Sequence, residues 1–364
     1  MSPSPDAVEA VSQRLNNFLS AQRAATADLG PEAGLLVEAG ATALDGGKRL
    51  RGRFCIAGWR AVEGAGRVPS APPDEVIAAA ASLEIFHAAA LVHDDLIDNS
   101  DTRRGRPSAH RALADAHRSH RWEGNPAAFG RSGAILLGDL LVAWSDDLLE
   151  EGLAAASGVR AAAARAEYAT MRREVTIGQF LDVAEESAYV SEPDHRHAER
   201  ALRVASLKSA RYSIQQPLAV GAALAGADHA QLAALAAFGH PVGMAFQLRD
   251  DVLGVFGDEA ATGKPSGDDL REGKRTVLIA YARERLSVPA RRIVDELVGD
   301  PGLDAAQIAS LQQTILDTGA LERVERLIAD SSREGERALS GARLGNAAVG
   351  ELRDLARAAT VRTT

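Results

Sequence analysis

Apolar residues recur along this chain at helical spacing, three or four apart, over long stretches, while the every-second-residue alternation of a half-buried strand is scarce. The runs Ala78 to Asp98, Gly133 to Glu151, Ala161 to Ala184, Ala198 to Ala225, His229 to Leu253 and Thr276 to Leu286 are each of helix length, so the pattern predicts an all-α chain. Breaks around Gly64 to Pro73, Arg118 to Gly130 and Ser187 to Asp194, where Gly, Pro and charged residues cluster, predict loops. Pro3 and Pro5 near the start predict disorder over residues 1–6.

Composition adds scale and excludes some functions. At 364 residues and 46% hydrophobic, the chain can bury a large core. Its length exceeds that of a usual domain, yet the residues with candidate chemistry spread from position 47 to 274, which argues for one helical domain spanning 1–364. Fifty acidic residues against 41 basic ones give a net charge of −9, which speaks against nucleic acid. An anionic substrate would have to be attracted locally. The single cysteine, Cys55, excludes an internal disulfide and fits a reducing compartment. Met1 to Gly30 lacks an apolar core segment. The run Ala134 to Trp144 is too short for a membrane span and holds Asp139. These features predict a soluble, cytoplasmic protein without a membrane span.

The chemistry concentrates at two helix ends. In His93-Asp94-Asp95-Leu96-Ile97-Asp98, Asp94 and Asp98 lie four residues apart and, in a helix, point the same way about 5.4 Å from each other. Paired carboxylates invite a hard divalent cation, and Arg103, Arg104 and Arg106 follow at once to hold phosphate oxygens that a metal leaves free. Alone, the triplet reads equally well as a solvated helix end with surface arginines. A second copy shifts that balance: Phe246-Gln247-Leu248-Arg249-Asp250-Asp251 also ends an apolar run in paired aspartates, and Gly263-Lys264-Pro265-Ser266 echoes Gly105-Arg106-Pro107-Ser108. The two ends are expected to face each other across a cavity, with three magnesium ions and a diphosphate between them. A third basic element, Gly46-Gly47-Lys48-Arg49-Leu50-Arg51, pairs a tight turn with cations, Lys48 and Arg51 sharing a helix face.

Taken in order, these motifs resemble the trans-isoprenyl diphosphate synthases, or polyprenyl synthetases. The likeness runs from Gly46 to Thr276 and also takes in His87, Gly138-Asp139-Leu140-Leu141, Lys208-Ser209 and Lys274. The stretch Gly263 to Thr276 looks most like actinobacterial geranylgeranyl diphosphate synthases. The resemblance implies a helical bundle around a central cavity and magnesium-dependent, head-to-tail condensation of isopentenyl diphosphate with allylic diphosphates. It implies metal ligation by Asp94, Asp98 and Asp250, with Asp95 and Asp251 supporting through hydrogen bonds. Arg103, Lys264 and Lys274 would neutralise the allylic diphosphate. Gly47, Lys48, Arg51, His87 and Arg104 would hold isopentenyl diphosphate. Lys208, Ser209 and Gln247 would lie beside the carbocation, Lys208-Ser209 at a helix break. A homodimer is the family's usual state. Taken singly, His87 reads as a core histidine, Lys208 as a solvated face residue and Gln247 as a buried amide; His93 keeps its structural reading. One departure stands out: the family's second motif usually reads Asp-Asp-x-x-Asp, and here the fifth position is Gly254, with Asp258 as a possible substitute.

If the hydrocarbon tail grows along the helix entering the first motif, Ala90, Ala89 and Phe86 form its wall, each turn adding about 5.4 Å of depth. Alanines at the two positions nearest the motif, with Phe86 as floor, predict a C20 product. Ile135 or Val175 could cap the cavity instead, giving C15, or C25 and longer. A class I terpene cyclase would need no second basic pocket, and a non-catalytic subunit of a hetero-oligomeric synthase would have lost an acidic motif, of which Gly254 is the one hint. Helices beyond Pro301 carry no recognisable chemistry and are expected to serve as packing or wall elements.

Overall fold

The computed structural model describes residues 5–66, 71–257 and 266–360, and among them nearly everything is helical. Helix α1 (Pro5–Thr26) buries Val11, Leu15 and Phe18 along one stripe, followed by α2 (Pro31–Leu44) and α3 (Leu50–Glu63). Helix α4 (Asp74–Ile97) is buried on almost every side, from Val76 through Ala89 to Val92, and forms the axis of the larger core. A two-residue hairpin, β1 (Thr102–Arg103) and β2 (Arg106–Pro107), pairs Thr102 with Pro107 and Arg103 with Arg106, turning through Arg104 (φ 54°) and Gly105 (φ 71°).

Helix α5 (Ala109–Ser119) precedes two long helices, α6 (Pro126–Leu153) and α7 (Gly158–Ala188). Then α8 (His197–Val204) runs through a π-wound stretch, Ala205–Gln215, into α9 (Gln216–Ala225), and α10 (His229–Phe256) starts from a capping box between Asp228 and Gln231. Helices α11 (Asp268–Glu272), α12 (Val277–Arg285), α13 (Val288–Leu297), α14 (Ala305–Asp317), α15 (Ala320–Ala338) and α16 (Asn346–Thr360) follow. Helix α10 spans both hydrophobic cores: Phe238 and Val242 belong to the larger, whereas Leu248 and Val252 join α12, α14 and α15 in the smaller.

The helical reading holds, with displaced boundaries. The loop expected over Arg118 to Gly130 is short, because Asn125 caps α6 by accepting from the Ala127 and Ala128 amides and Pro126 takes its first turn. The Ser187 to Asp194 loop holds a 3₁₀ turn, Tyr189–Ser191. The break expected at Lys208-Ser209 is instead a widening of a continuous helical run. Of the segment expected to be disordered, residues 1–4 lie outside the described residues, and Pro5 opens α1.

Two helices are long and apolar enough to cross a membrane, α4 and α6. The apolar window of α4 is 72% buried, as a core helix should be, but that of α6 only 33%.

Candidate active site

A cavity of about 870 Å³ opens between α3, α4, α7, the π-wound stretch, α10 and α11. It gathers residues from the motifs singled out in the sequence, except Gly138-Asp139-Leu140-Leu141 of α6, where Gly138 instead packs against the His93 ring. Lys264 lies outside the described residues, as does Asp258.

The last turn of α4 carries the first acidic pair. Burial raises the Asp94 carboxyl, but the charges of Lys208, Lys274 and Arg103 outweigh it and hold the group well below its ordinary value. Lys208 Nζ stands 3.2 Å from Asp94 Oδ1, and Gln179 donates to the same oxygen at 2.9 Å. Asp98 is ion-paired with Lys274 at 2.8 Å; burial pushes its carboxyl upward against the pull of Lys274. Asp95 points away from the cavity into the protein, where Arg103 Nε donates to it at 2.8 Å. It therefore anchors the hairpin arginine beside the metal-type carboxylates. On the other side Lys274 is also held by Glu272 at 2.9 Å, and Lys208 by Asp182 at 2.5 Å.

Lys208 reaches the cavity because of how α7 and the π-wound stretch meet. A side chain at Gly178 would place its Cβ 2.4 Å from the Lys208 amide nitrogen, so only glycine allows this contact. Gln179, the next residue of α7, and Asp182, one turn beyond Gly178, both line the cavity.

The end of α10 is built differently. Asp250, Asp251 and, from α11, Asp268 and Asp269 line the same wall. Gln247 Nε2 donates to Asp251 Oδ1 at 2.6 Å. Burial, then the charges of Asp269, Asp250 and Asp182, push the Asp251 carboxyl up to about 8, with the Gln247 hydrogen bond opposing. Gly254 has a steric reason. A Cβ there would lie 2.0 Å from Oδ2 of Asp269, so the carboxylate of Asp269 occupies the space a longer residue at 254 would need. The Asp269 carboxylate thus stands in the space beside Gly254, while Asp258, the substitute expected from the sequence, lies outside the described residues.

The basic pocket forms where two positive-φ turns meet. Gly46 and Gly47 (φ 72° and 88°) lead into Lys48, and the Arg104 guanidinium packs against Gly47, donating to the Asp45 carbonyl at 3.0 Å. Lys48 stands in the loop before α3 while Arg51 is on the helix, so they do not share a helix face as expected, although both line the cavity. Arg51 is buried, its guanidinium 4.2 Å from the Tyr212 ring centroid and donating to Ser213 Oγ at 2.8 Å. His87 also lines this pocket. Burial, and then the charges of Arg51, Arg104, Arg103 and Arg49, hold its pKa well below the ordinary value, so the ring is neutral.

Of the expected tail wall, Ala90 lines the cavity together with Val175, Ser209 and Tyr212. Ala89 and Phe86 are buried behind it, and the Phe86 ring meets Tyr168 and Tyr212 edge-on at centroid distances of 6.4 and 5.9 Å. The C-terminal helices serve as wall and brace: Ala358 of α16 lines the cavity, and Gln312 of α14 donates to the Val255 carbonyl at 2.6 Å beside the end of α10.

The donor set suits a hard cation. Two helix ends present carboxylate oxygens to one cavity, with no imidazole or thiol among its acidic wall residues. Among the described residues no three Asp, Glu, His or Cys side chains converge on one point. A cation held here would complete its shell from water and from substrate phosphate, which is how Mg²⁺ is bound in phosphate-handling sites.

Known proteins resemble this chain in sequence and fold. The polyprenyl synthetase family model matches residues 34–315. Geranylgeranyl pyrophosphate synthase from Corynebacterium glutamicum, solved with isoprenyl diphosphate and magnesium, is 42% identical with a TM-score of 0.91, and 98% of each chain is covered. Polyprenyl synthase from Caulobacter crescentus, solved with calcium and isoprenyl diphosphate, is 27% identical with a TM-score of 0.76 over 100% of this chain and 99% of that one. Geranylfarnesyl diphosphate synthase of Aeropyrum pernix is 32% identical over 285 residues, 77% of this chain and 79% of that protein. With the motifs in order, gathered on one cavity and matched over most of its length, the chain belongs to the polyprenyl synthetase family.

Proposed function

We propose that the chain condenses isopentenyl diphosphate head-to-tail with an allylic diphosphate, yielding geranylgeranyl diphosphate. The observation that carries this reading is that two acidic helix ends and a separate basic pocket open on one cavity. A cyclase ionises one diphosphate and has no use for the second pocket.

Asp94, Asp98 and Asp250 would hold magnesium, three ions per site, and Asp269 would supply from α11 the outer carboxylate that Gly254 lacks. When bound, magnesium neutralises the diphosphate and lowers the barrier to its departure. Arg103, Lys208 and Lys274, already fixed beside these carboxylates, neutralise the charge that develops on the leaving diphosphate oxygens. The amide nitrogen of Gln247 is committed to Asp251, which leaves its side-chain carbonyl as an oxygen dipole for the allylic cation. The Ser209 hydroxyl lines the same region, and the apolar walls of Ala90 and Val175 keep water away. Isopentenyl diphosphate in the pocket of Gly47, Lys48, Arg51, His87 and Arg104 presents its double bond to the cation. The π electrons form the new carbon–carbon bond, and the released diphosphate takes the proton whose loss restores a double bond.

The name of the Corynebacterium protein favours C20, and that of the Aeropyrum protein favours one isoprene unit more. Alanine at 89 and 90 with Phe86 beneath supports C20. A homodimer is also proposed: Ile135 and Leu136 of α6, whose apolar window is only 33% buried, are exposed, as are Ile177 and Phe180 of α7.

The test is incubation of the pure protein with isopentenyl diphosphate and, separately, dimethylallyl, geranyl or farnesyl diphosphate, with magnesium or with chelator. Magnesium-dependent C20 diphosphate by mass spectrometry is expected. No condensation with any primer would sink the reading.

A further inference from the structure

Tyr212 touches both the basic pocket and the tail wall. It lines the cavity from the π-wound stretch and is only 4% exposed. The Arg51 guanidinium lies over its ring, Phe86 meets the ring from the tail side, and its hydroxyl oxygen is 3.1 Å from His87 Nδ1.

A neutral imidazole has one N–H and one bare nitrogen, and which is which depends on the hydrogen bond at the other end. His87 is kept neutral by burial and by four surrounding arginines. Burial pushes the Tyr212 phenol up to about 12, against the pull of Arg51, so it keeps its proton. The Arg51 guanidinium over the ring brings positive charge and can accept no hydrogen bond, whereas His87 Nδ1 lies within reach, so the hydroxyl proton goes to His87 Nδ1. The proton of His87 is then on Nε2. This matters because a diphosphate can only accept hydrogen bonds: a bare ring nitrogen facing it would repel, whereas an N–H would bind.

We propose that Tyr212 is a positioning residue that sets the tautomer of His87, so that Nε2–H is presented to the diphosphate of the condensing substrate. The inference rests on the reading of this pocket as the isopentenyl diphosphate site. By placing Phe86 and His87 against one ring, the same residue also ties the geometry of the basic pocket to the tail wall.

The test uses the full-length enzyme and the variant Tyr212→Phe, which keeps the ring contacts with Phe86 and Arg51. In ¹⁵N NMR of the histidine-labelled protein, wild type is expected to show His87 as the Nε2-protonated neutral tautomer, and Tyr212→Phe a mixture of both. Kinetically, Tyr212→Phe should raise KM for isopentenyl diphosphate about tenfold, the worth of one hydrogen bond to a charged group, with kcat and the allylic KM little changed. In a His87→Gln background the amide always carries N–H, so adding Tyr212→Phe should change that KM less than about twofold. An unchanged tautomer in Tyr212→Phe, or an equal KM rise in both backgrounds, would overturn the proposal. The NMR arm, repeated with inorganic pyrophosphate, stands apart from turnover, so an enzyme that condenses nothing would count against the function and leave the tautomer assignment to its own result.

Discussion

The acidic ends of α4 and α10 read alike in sequence, but their electrostatics are opposite. At the α4 end every carboxylate has a cation: Asp94 has Lys208 and Arg103, Asp95 has Arg103, and Asp98 has Lys274. At the α10 end carboxylates crowd one another, and Asp251 is pushed up to about 8 by burial and by Asp269, Asp250 and Asp182. The first end is thus balanced without metal, its lysines in place for a diphosphate that will exchange with the carboxylates for them. At the second, carboxylates stand close enough for Asp269, Asp250 and Asp182 to oppose ionisation of Asp251, a repulsion that a bound divalent ion would reduce. One motif type therefore stands in two settings: the α4 carboxylates are each paired with a cation, and at the α10 end Asp251 is raised by burial and by neighbouring carboxylates.

The largest effect should come from removing the α4 carboxylates. Asp94→Asn or Asp98→Asn should lower kcat/KM by about 10³-fold, equivalent to about 4 kcal/mol of lost transition-state stabilisation. Asp98→Asn should also destabilise the metal-free protein, by about 2 kcal/mol, because it strips Lys274 of a buried partner. Denaturant unfolding in chelator measures this. A variant as stable as wild type would break the comparison, since the α4 end would then not be balanced by its cations.

Gly254 separates the ends next. Gly254→Asp restores the family's usual spelling but drives a carbon to within 2.0 Å of the Asp269 carboxylate and adds like charge. It should cost about 2 kcal/mol of stability. The double variant Gly254→Asp with Asp269→Gly should recover most of that loss and restore magnesium activation, which titration of activity against magnesium would show. If the single variant is as stable and active as wild type, Asp269 does not occupy the space of the absent carboxylate in solution.

The pH dependence gives a smaller, signed effect. A carboxyl raised above its unfolded value favours the folded state while it is protonated, so that contribution is lost as pH rises through about 8. Metal-free protein should therefore lose about 1 kcal/mol between pH 7 and 9. Asp251→Asn should flatten this slope in chelator while lowering activity. The α4 end predicts no such slope for Asp94, whose carboxyl is held low. An undiminished slope in Asp251→Asn would place the titrating group elsewhere.

How much of this was legible follows from what a linear pattern can carry. Helix-length apolar runs and motifs contiguous in the chain were visible: Asp94 of the first acidic motif, Asp250 and Asp251 of the second, the glycine-lysine turn and Arg103 and Arg104 of the hairpin come to one cavity. Contacts between distant segments were not. Asp269 in the space beside Gly254, Asp182 on Lys208 and Tyr212 on His87 depend on how helices pack, and each of these residues is ordinary in its own stretch. One signal was present: Gly178-Gln179-x-x-Asp182 puts a small residue and two polar ones on neighbouring positions of one α7 face. The π winding left no mark in an apolar run that reads as a plain helix, and Lys48 and Arg51 seemed to share a face because α3 starts later than the pattern suggests.

The upstream turns of the two helices offer the finest distinction. On α4, the turns before Asp94 carry Ala90, Ala89 and Phe86, small residues backed by a ring that rests edge-on against Tyr168 and Tyr212. On α10, the turn before Asp250 carries Gln247 and Phe246, and Phe246 lines the cavity beside the acids. If the growing tail runs along α4, Phe86→Ala should open depth beneath Ala90 and shift product by about one isoprene unit, since a helical turn of about 5.4 Å is close to one such unit. Phe246→Ala should slow turnover without lengthening product. Chain-length analysis by mass spectrometry with farnesyl diphosphate as primer reads both. Unchanged length in Phe86→Ala would remove that ring as the stop and direct attention to Val175 across the cavity; lengthening in Phe246→Ala would mean that the tail follows α10, and that the two helix ends differ in charge but not in their share of product control.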